Sequence, residues 1–165
     1  MGYIIGDEKN GLFYFSFGPN VNASSLSFLS GSNFQGKMIG ARISGTIDQF
    51  LLTGNEEYKG KIVVFVTDEN GTELLGFYDY MAKIETSESQ DIDMILNSLQ
   101  QISDIRTGKS NYNLYIYNCA DAALQAAKAG DIQVDDALTP VSVFNNMKAA
   151  GAKEVKTQLK ARRKE

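Results

Sequence analysis

The chain has 165 residues, of which 43% are hydrophobic and 22% are charged, and this composition is that of one ordinary globular domain. Its net charge of −4 is unevenly placed: residues 153–165 carry six basic and two acidic side chains, or +4, which leaves −8 for residues 1–152. A basic tail on an acidic body argues against a nucleic-acid-binding domain. We expect a single domain over 1–152 and a basic tail over 153–165 that forms a solvated, fraying helix, with a weak anionic-partner site as the alternative.

The residue types that are missing exclude several kinds of site. The chain contains no histidine and only one cysteine, Cys119, so it cannot build a histidine-containing metal site, an all-cysteine metal site or an intrachain disulfide. We therefore predict no metal and no cofactor. No apolar run reaches 18 residues and no signal-peptide pattern is visible, so we expect no membrane span and a cytoplasmic location for the chain as written.

The first third of the sequence predicts an antiparallel hairpin and a third strand. Tyr3–Ile5 and Leu12–Phe17 are β-prone runs separated by an Asn-Gly turn signal. The run LFYFSF is apolar at nearly every position, which is typical of a central strand. A long connection rich in Ser, Asn and Gly follows at Gly18–Gly36, and Lys37–Ser44 predicts another strand.

The middle of the chain predicts a second hairpin. Thr46 is the candidate cap of a short helix through Leu52. Ile62–Thr67 is the strongest β-branched run, and another Asn-Gly signal separates it from Thr72–Ile84. The later strand carries an aromatic patch, which we interpret as core packing in preference to a ligand box, formed by Phe77, Tyr78 and Tyr80.

Two helices are predicted from their caps. Ser87 with Gln90 forms a capping box that begins a helix of about 18 residues, ending near Arg106. Thr139-Pro140 begins another helix, which runs through about Ala149. The first helix has one apolar stripe, which we expect to face the core: Ile92, Ile95, Leu96, Leu99 and Ile102. Hairpins first and helices second predict an α+β fold, in which helices cover one face of an antiparallel sheet.

The only cysteine stands at the beginning of a third predicted helix. Asn118 is its N-cap, Asp121 completes a capping box, and Gly130 ends the helix. The apolar face of this helix consists of Ala120, Ala123, Leu124 and Ala127. Free backbone N–H groups and the helix dipole favour a thiolate in the first turn, which is a common way of building a nucleophile. The alternative is that Cys119 is a small buried hydrophobe.

The sequence also resembles a known family. The segments IIGDEKNGLFYFSFG, YDY, TSESQD, YNLYIYNCAD and the later TP helix start are similar to those of circularly permuted papain-like domains of the NlpC and lecithin retinol acyltransferase type. Versions of these domains occur at the C-termini of bacterial Rhs-type proteins. The resemblance spans roughly Tyr3 to Met147, and Asn118-Cys119 preceded by YNLY is its most specific element. It implies an α+β, permuted papain-like fold.

The resemblance implies that Cys119 is the nucleophile of a peptidase, amidase or acyltransferase that works through a thioester, and that Asn118 supports the site. The family's base is a histidine on the first strand, which would fall at or just before Met1. We therefore keep three alternatives: a chain truncated relative to its relatives, a pseudoenzyme that has lost the base, or an α-amino group at Met1 that replaces it.

The remaining site residues follow from the same resemblance. The family's third member is a polar residue that orients the histidine, and Ser16 is the candidate for it, with a solvent-facing or turn-adjacent serine as the alternative. The three tyrosines that flank the cysteine either wall a cleft or pack under the helix: Tyr112, Tyr115 and Tyr117.

Two functional hypotheses remain. One is a thiol hydrolase or acyltransferase acting on a peptide, amide or ester bond, with backbone N–H groups at the helix start as oxyanion donors. The other is a non-catalytic binding or assembly module of a larger bacterial protein, which the missing histidine favours. The expected ligand is a peptide, an acyl group or a protein. Rhs-type relatives suggest delivery as part of a larger secreted protein as an alternative to the cytoplasm.

Overall fold

The structure is a computed structural model that describes residues 1–7, 9–20, 33–43 and 82–154. Strands β1 (Gly2–Asp7), β2 (Gly11–Pro19) and β3 (Gly36–Ile43) form an antiparallel sheet in the order β1-β2-β3. Helices α1 (Glu88–Arg106), α2 (Cys119–Ala129) and α3 (Pro140–Ala149) follow. A two-residue ladder joins β4 (Ala82–Lys83) to β5 (Lys153–Glu154). The predicted α+β class, an antiparallel sheet with helices, is confirmed.

The first hairpin is confirmed, and it is longer than predicted. Strands β1 and β2 pair from Gly2 opposite Ser16 to Asp7 opposite Gly11. The Asp7 carboxylate accepts the backbone N–H groups of Lys9 and Asn10, both at 2.7 Å, which closes the turn. Gly11 has φ +113°, a backbone conformation that residues with a Cβ rarely adopt. The prediction that LFYFSF is central is also confirmed, since β2 pairs with β1 on one side and β3 on the other.

Several predicted elements lie outside the described residues. These are the short helix at 46–52, the strand at 62–67, the turn after it and the aromatic patch at 77–80. Of the predicted strand over 72–84, Ala82–Lys83 is described, and it pairs with β5. The basic tail therefore begins with two strand residues, Lys153 and Glu154, where the sequence predicted a helix. Pairing with β4 explains the difference, because an intrinsic helical preference is easily overridden by a tertiary partner.

Helix α1 has the predicted cap, but of its apolar stripe only Ile95 and Ile102 pack against the core. Ser87 and Gln90 form the capping box, and the helix runs 19 residues to Arg106. It buries Met94, Ser98, Gln101 and Ile105. Three members of the expected core stripe are instead largely exposed: Ile92 at 50%, Leu96 at 59% and Leu99 at 51%. The buried face is shifted from the stripe because Ser98 and Gln101 face inward with hydrogen-bond partners that periodicity does not reveal.

Helix α2 buries the predicted alanine face and packs against α1. Ala120, Ala123, Leu124 and Ala127 are all buried, and so are Ala122 and Ala126. Gly130 ends the helix at φ −82°, so its role does not depend on a left-handed conformation. A Cβ at this position would lie 2.7 Å from Met94 Cγ, so glycine is needed for the close approach of α1 to the end of α2.

Helix α3 begins as predicted, with Thr139 as N-cap and Pro140 in the first turn. Val143 is its buried residue, and Gly151 beyond the helix has φ +103°. The core joins the inner faces of the three helices to the sheet residues Ile5, Phe15 and Phe17. Within the described ranges, no helix is both long and apolar enough to cross a membrane.

Candidate functional site

Cys119 is the first residue of α2, as the sequence predicts, and it is partly buried. Its position is set by the capping box on either side of it. The Asn118 side-chain oxygen accepts the Ala120 N–H at 2.7 Å, and the Asp121 carboxylate accepts the Asn118 N–H at 2.9 Å. The cap fixes the direction of the first turn of the helix, where unpaired N–H groups and the positive end of the dipole favour negative charge.

Asn118 also joins two chain segments that are distant in sequence. Its side-chain amide donates to the carbonyl oxygens of Leu114 at 2.9 Å and Leu138 at 3.3 Å. Asn118 is only 2% exposed, so these bonds are protected from water. Because Leu138 directly precedes the N-cap of α3, this one side chain holds the beginnings of α2 and α3 next to each other.

The segment before the cysteine is a tight loop shaped by Asn113, which is 3% exposed. The backbone groups of Asn113 and Tyr117 bond to each other at 2.9 and 3.0 Å. The Asn113 side-chain oxygen accepts the N–H groups of Tyr115 and Ile116 inside the loop. The loop therefore presents Tyr115 and Ile116 outward at a defined place beside Cys119.

The three flanking tyrosines divide into two packed residues and one exposed residue. Tyr112 and Tyr117 both pack on Phe17 of β2, with ring centroids 5.2 and 5.1 Å away. Tyr115 is 54% exposed. Both alternatives from the sequence are therefore represented, because two tyrosines pack under the site and one lies at its open side.

The phenols report on the electrostatics of the site. Burial, with smaller contributions from Cys119 and Asp121, raises the pKa of Tyr112 to about 12. Burial likewise raises the pKa of Tyr117 to about 12, with Asp121 and Asp104 contributing next. Both phenols are therefore neutral hydrogen-bonding groups at physiological pH.

Four large apolar side chains on the two segments that Asn118 joins are mostly exposed. We call this surface the apolar rim: Tyr115 at 54%, Ile116 at 76%, Leu138 at 64% and Val141 at 63% exposed. The first two come from the loop before Cys119 and the other two from the start of α3, and the Asn118 amide holds these two segments together. Clustered apolar exposure of this kind is typical of a binding surface, whereas scattered exposure is ordinary.

Ser16 is not brought together with the other candidates. Successive side chains in a strand point to opposite faces, so Ser16 faces away from the side on which Phe17 meets the tyrosines. Its hydroxyl donates to the Met1 carbonyl oxygen at 3.5 Å, which is a long hydrogen bond. Ser16 is also 6% exposed, which contradicts the alternative reading of a solvent-facing serine.

Asp121 is the acidic residue in the first turn of α2, but its carboxylate is engaged. One of its oxygens accepts the Asn118 N–H as part of the cap. The chain has no histidine to act as a base in its place. Across the described part of the chain, no cluster of three or more His, Cys, Asp or Glu residues is arranged to hold a metal ion.

Two residues that shape the site are missing from the sequence-based prediction. Asn113 has a detectable signal, because Asn is a turn former that bonds to backbone two residues further on. Gln101 has none, because a glutamine in an amphipathic helix is normally assigned to the solvent face. The structure instead buries Gln101 against Tyr117 and α2.

Comparisons with protein-family models, with curated proteins and with solved structures found no match to this chain.

Proposed function

We propose that this chain is a papain-like domain that binds a peptide or acyl ligand at the apolar rim beside Cys119 without turning it over. The observation that carries the proposal is that four exposed apolar side chains lie on the two segments that Asn118 joins at the capped helix start carrying Cys119. Apolar side chains supply the binding free energy, and the helix start supplies N–H groups toward a ligand carbonyl.

The acid–base chemistry of the segment supports binding over turnover. A thiol acyl transfer needs a base that takes the thiol proton and later returns it to the leaving group. The chain contains no imidazole, and the Asp121 carboxylate is already committed to the cap. Burial raises the pKa of Tyr112 to about 12, so this phenol does not act as a base at neutral pH.

A second candidate is thiol hydrolysis or acyl transfer with a base supplied from outside this chain. The position of Cys119 at the first residue of a capped helix favours it. In that reaction, the base takes the thiol proton and the thiolate sulfur attacks the carbonyl carbon. A carbon–sulfur bond forms, the bond to the leaving amine or alcohol breaks, and the leaving group takes up the proton. Water then hydrolyses the thioester and regenerates the thiol.

Protection of the single cysteine tests the binding proposal. Cys119 is alkylated with iodoacetamide in the presence of rising concentrations of N-acetyl peptide amides or of primary acyl amides of increasing chain length. We expect saturable protection that strengthens with apolar content and weakens in Ile116→Ser. The matched control is Leu96→Ser, which changes an exposed apolar residue on α1 and leaves protection unchanged. Absence of protection by any probe rejects the proposal.

Chemical rescue separates binding from latent catalysis. Hydrolysis of p-nitrophenyl acyl esters is followed with and without added imidazole, in the wild type and in Cys119→Ala. The proposal expects no turnover above that of Cys119→Ala when imidazole is absent. Cys119-dependent turnover that appears when imidazole is added supports the second candidate, whose base comes from outside this chain, and such turnover without imidazole also contradicts the binding proposal. An assembly module is indicated if Cys119 is protected without a ligand bound beside the thiol and if a protein complex forms equally well with Cys119→Ala.

A further inference from the structure

Helix α1 carries a buried glutamine whose amide is fully hydrogen-bonded. Gln101 is 5% exposed. Its carbonyl oxygen accepts the Tyr117 hydroxyl at 2.8 Å. Its amine donates to the Asn97 side-chain oxygen at 2.6 Å and to the Ala122 carbonyl oxygen at 3.2 Å. The one acceptor and both donor hydrogens of this amide are therefore used, in a place where an unpaired polar group is costly.

Two of these partners stand on either side of the cysteine. Tyr117 lies two residues before Cys119, and Ala122 lies three residues after it in the first turn of α2. The ring of Tyr117 is already held against Phe17, so its hydroxyl reaches Gln101 from a fixed direction. We propose that Gln101 is a positioning residue, which sets the orientation and reactivity of the Cys119 thiol by clamping both flanks of the cysteine to α1.

This inference rests on the proposed site at Cys119, and its chemistry requires glutamine in particular. One planar group must accept a hydrogen bond from a phenol and also donate a hydrogen bond to a helix carbonyl oxygen. Glutamate lacks the donor, and leucine lacks both functions. Asn97 completes the arrangement, because its oxygen takes the second amine hydrogen and so selects one orientation of the amide.

The neighbouring residue makes a parallel contact that strengthens the anchor. Ser98, which is 0% exposed, bonds to the Tyr3 hydroxyl of β1 at 2.9 Å. Ser98 and Gln101, three residues apart on α1, thus hold the first strand and the cysteine segment. Both segments are therefore positioned by the inward face of α1. This gives a physical reason for the polar residues in that face.

The test is the pH dependence of iodoacetamide alkylation at Cys119, measured in Gln101→Leu and Tyr117→Phe. Each variant loses part of the hydrogen bonding that holds the cysteine segment to α1, and we expect an alkylation profile that differs from that of the wild type. Tyr117→Phe moves it less, because the bond from Gln101 to Ala122 remains. The double variant matches Gln101→Leu.

Two controls separate positioning from general loss of stability. Gln100→Leu changes the exposed neighbour that bonds to Asp104, and we expect the wild-type profile. Val143→Ala loosens the core at a residue 1% exposed, and it lowers the unfolding free energy while leaving the midpoint in place. A midpoint in Tyr117→Phe equal to that of wild type overturns the proposal, and this variant retains the ring packing needed to fold.

Failure of this inference is distinguishable from failure of the proposed function. If the alkylation profiles shift as expected but no peptide or acyl amide protects Cys119, the clamp stands and the ligand proposal falls. If probes protect Cys119 and the profiles of both variants are unchanged, the binding function stands and Gln101 is only a packing residue.

Discussion

Helices α1 and α2 begin with the same kind of cap but bury opposite kinds of side chain. Helix α2 turns a continuous alanine face inward, whereas α1 turns Ser98 and Gln101 inward and leaves Leu96 and Leu99 half-exposed. The alanine face lets α2 approach its neighbours closely. The polar face lets α1 hold Tyr3 and Tyr117 by hydrogen bonds. One helix is therefore placed by steric fit and the other by specific bonds.

The largest expected effect is overpacking of α2. Ala122 is 0% exposed, so Ala122→Leu inserts three carbon atoms where the neighbours leave no room. We expect a loss of about 3 kcal/mol in the free energy of unfolding, measured by urea denaturation. Gln125→Leu on the exposed side of α2 is the control, with little change expected. A loss below about 1 kcal/mol in Ala122→Leu contradicts the steric account of this helix.

The two caps are expected to differ because one is buried and the other is not. Asn118→Ala leaves buried groups of Leu114 and Ala120 without their partner, and we expect a loss of about 2–3 kcal/mol. Ser87→Ala removes the matching cap of α1, where water replaces the hydroxyl, and costs about 0.5–1 kcal/mol. Equal losses in the two variants contradict the bridging role of Asn118.

A smaller effect is expected in alkaline solution and comes from the tyrosines. Folding raises the pKa of Tyr117 to about 12 through burial, so the folded state favours the neutral phenol. The corresponding stability is fully present below the ordinary value of about 10 and is lost as the pH rises toward about 12. Burial raises the pKa values of Tyr112 and Tyr3 as well, which adds to the same loss.

Urea unfolding at a series of pH values measures this loss. We expect Tyr117→Phe to be less stable than the wild type at neutral pH, because its bond to Gln101 is gone, but to lose less stability between about pH 10 and 12. Gln125→Leu on the exposed side of α2 changes no phenol and serves as the control, with a wild-type loss. An identical alkaline loss in Tyr117→Phe contradicts the assignment.

The smallest effect is expected on the outer face of α1. Leu96 is 59% exposed, so Leu96→Gln is expected to change the free energy of unfolding by no more than about 0.5 kcal/mol. Met94→Gln, on the buried face of the same helix, is the contrasting variant and is expected to destabilise strongly. A loss at Leu96 that approaches the loss at Met94 contradicts the exposed position of the outer face.

The candidate site combines local features that were predictable with tertiary features that were not. The cap, the first residue of α2 and the flanking tyrosines follow from YNLYIYNCAD. The contact of that segment with Leu138 forms the apolar rim. This contact depends on how the chain brings the start of α3 next to the start of α2. No sequence pattern predicts that an asparagine amide donates a hydrogen bond to a carbonyl oxygen 20 residues away.

The amino-acid sequence by itself determined the three helix starts, the first hairpin and the central position of β2. Each depends on bonds within four residues, such as the capping boxes of Ser87 and Asn118, or on one strand's own composition. The tertiary structure alone decided which face of α1 is buried and that Ser16 is buried on its strand. The physical reason is that apolar periodicity measures only the hydrophobic gain, whereas Ser98 and Gln101 are buried because Tyr3, Tyr117 and Ala122 supply their hydrogen bonds.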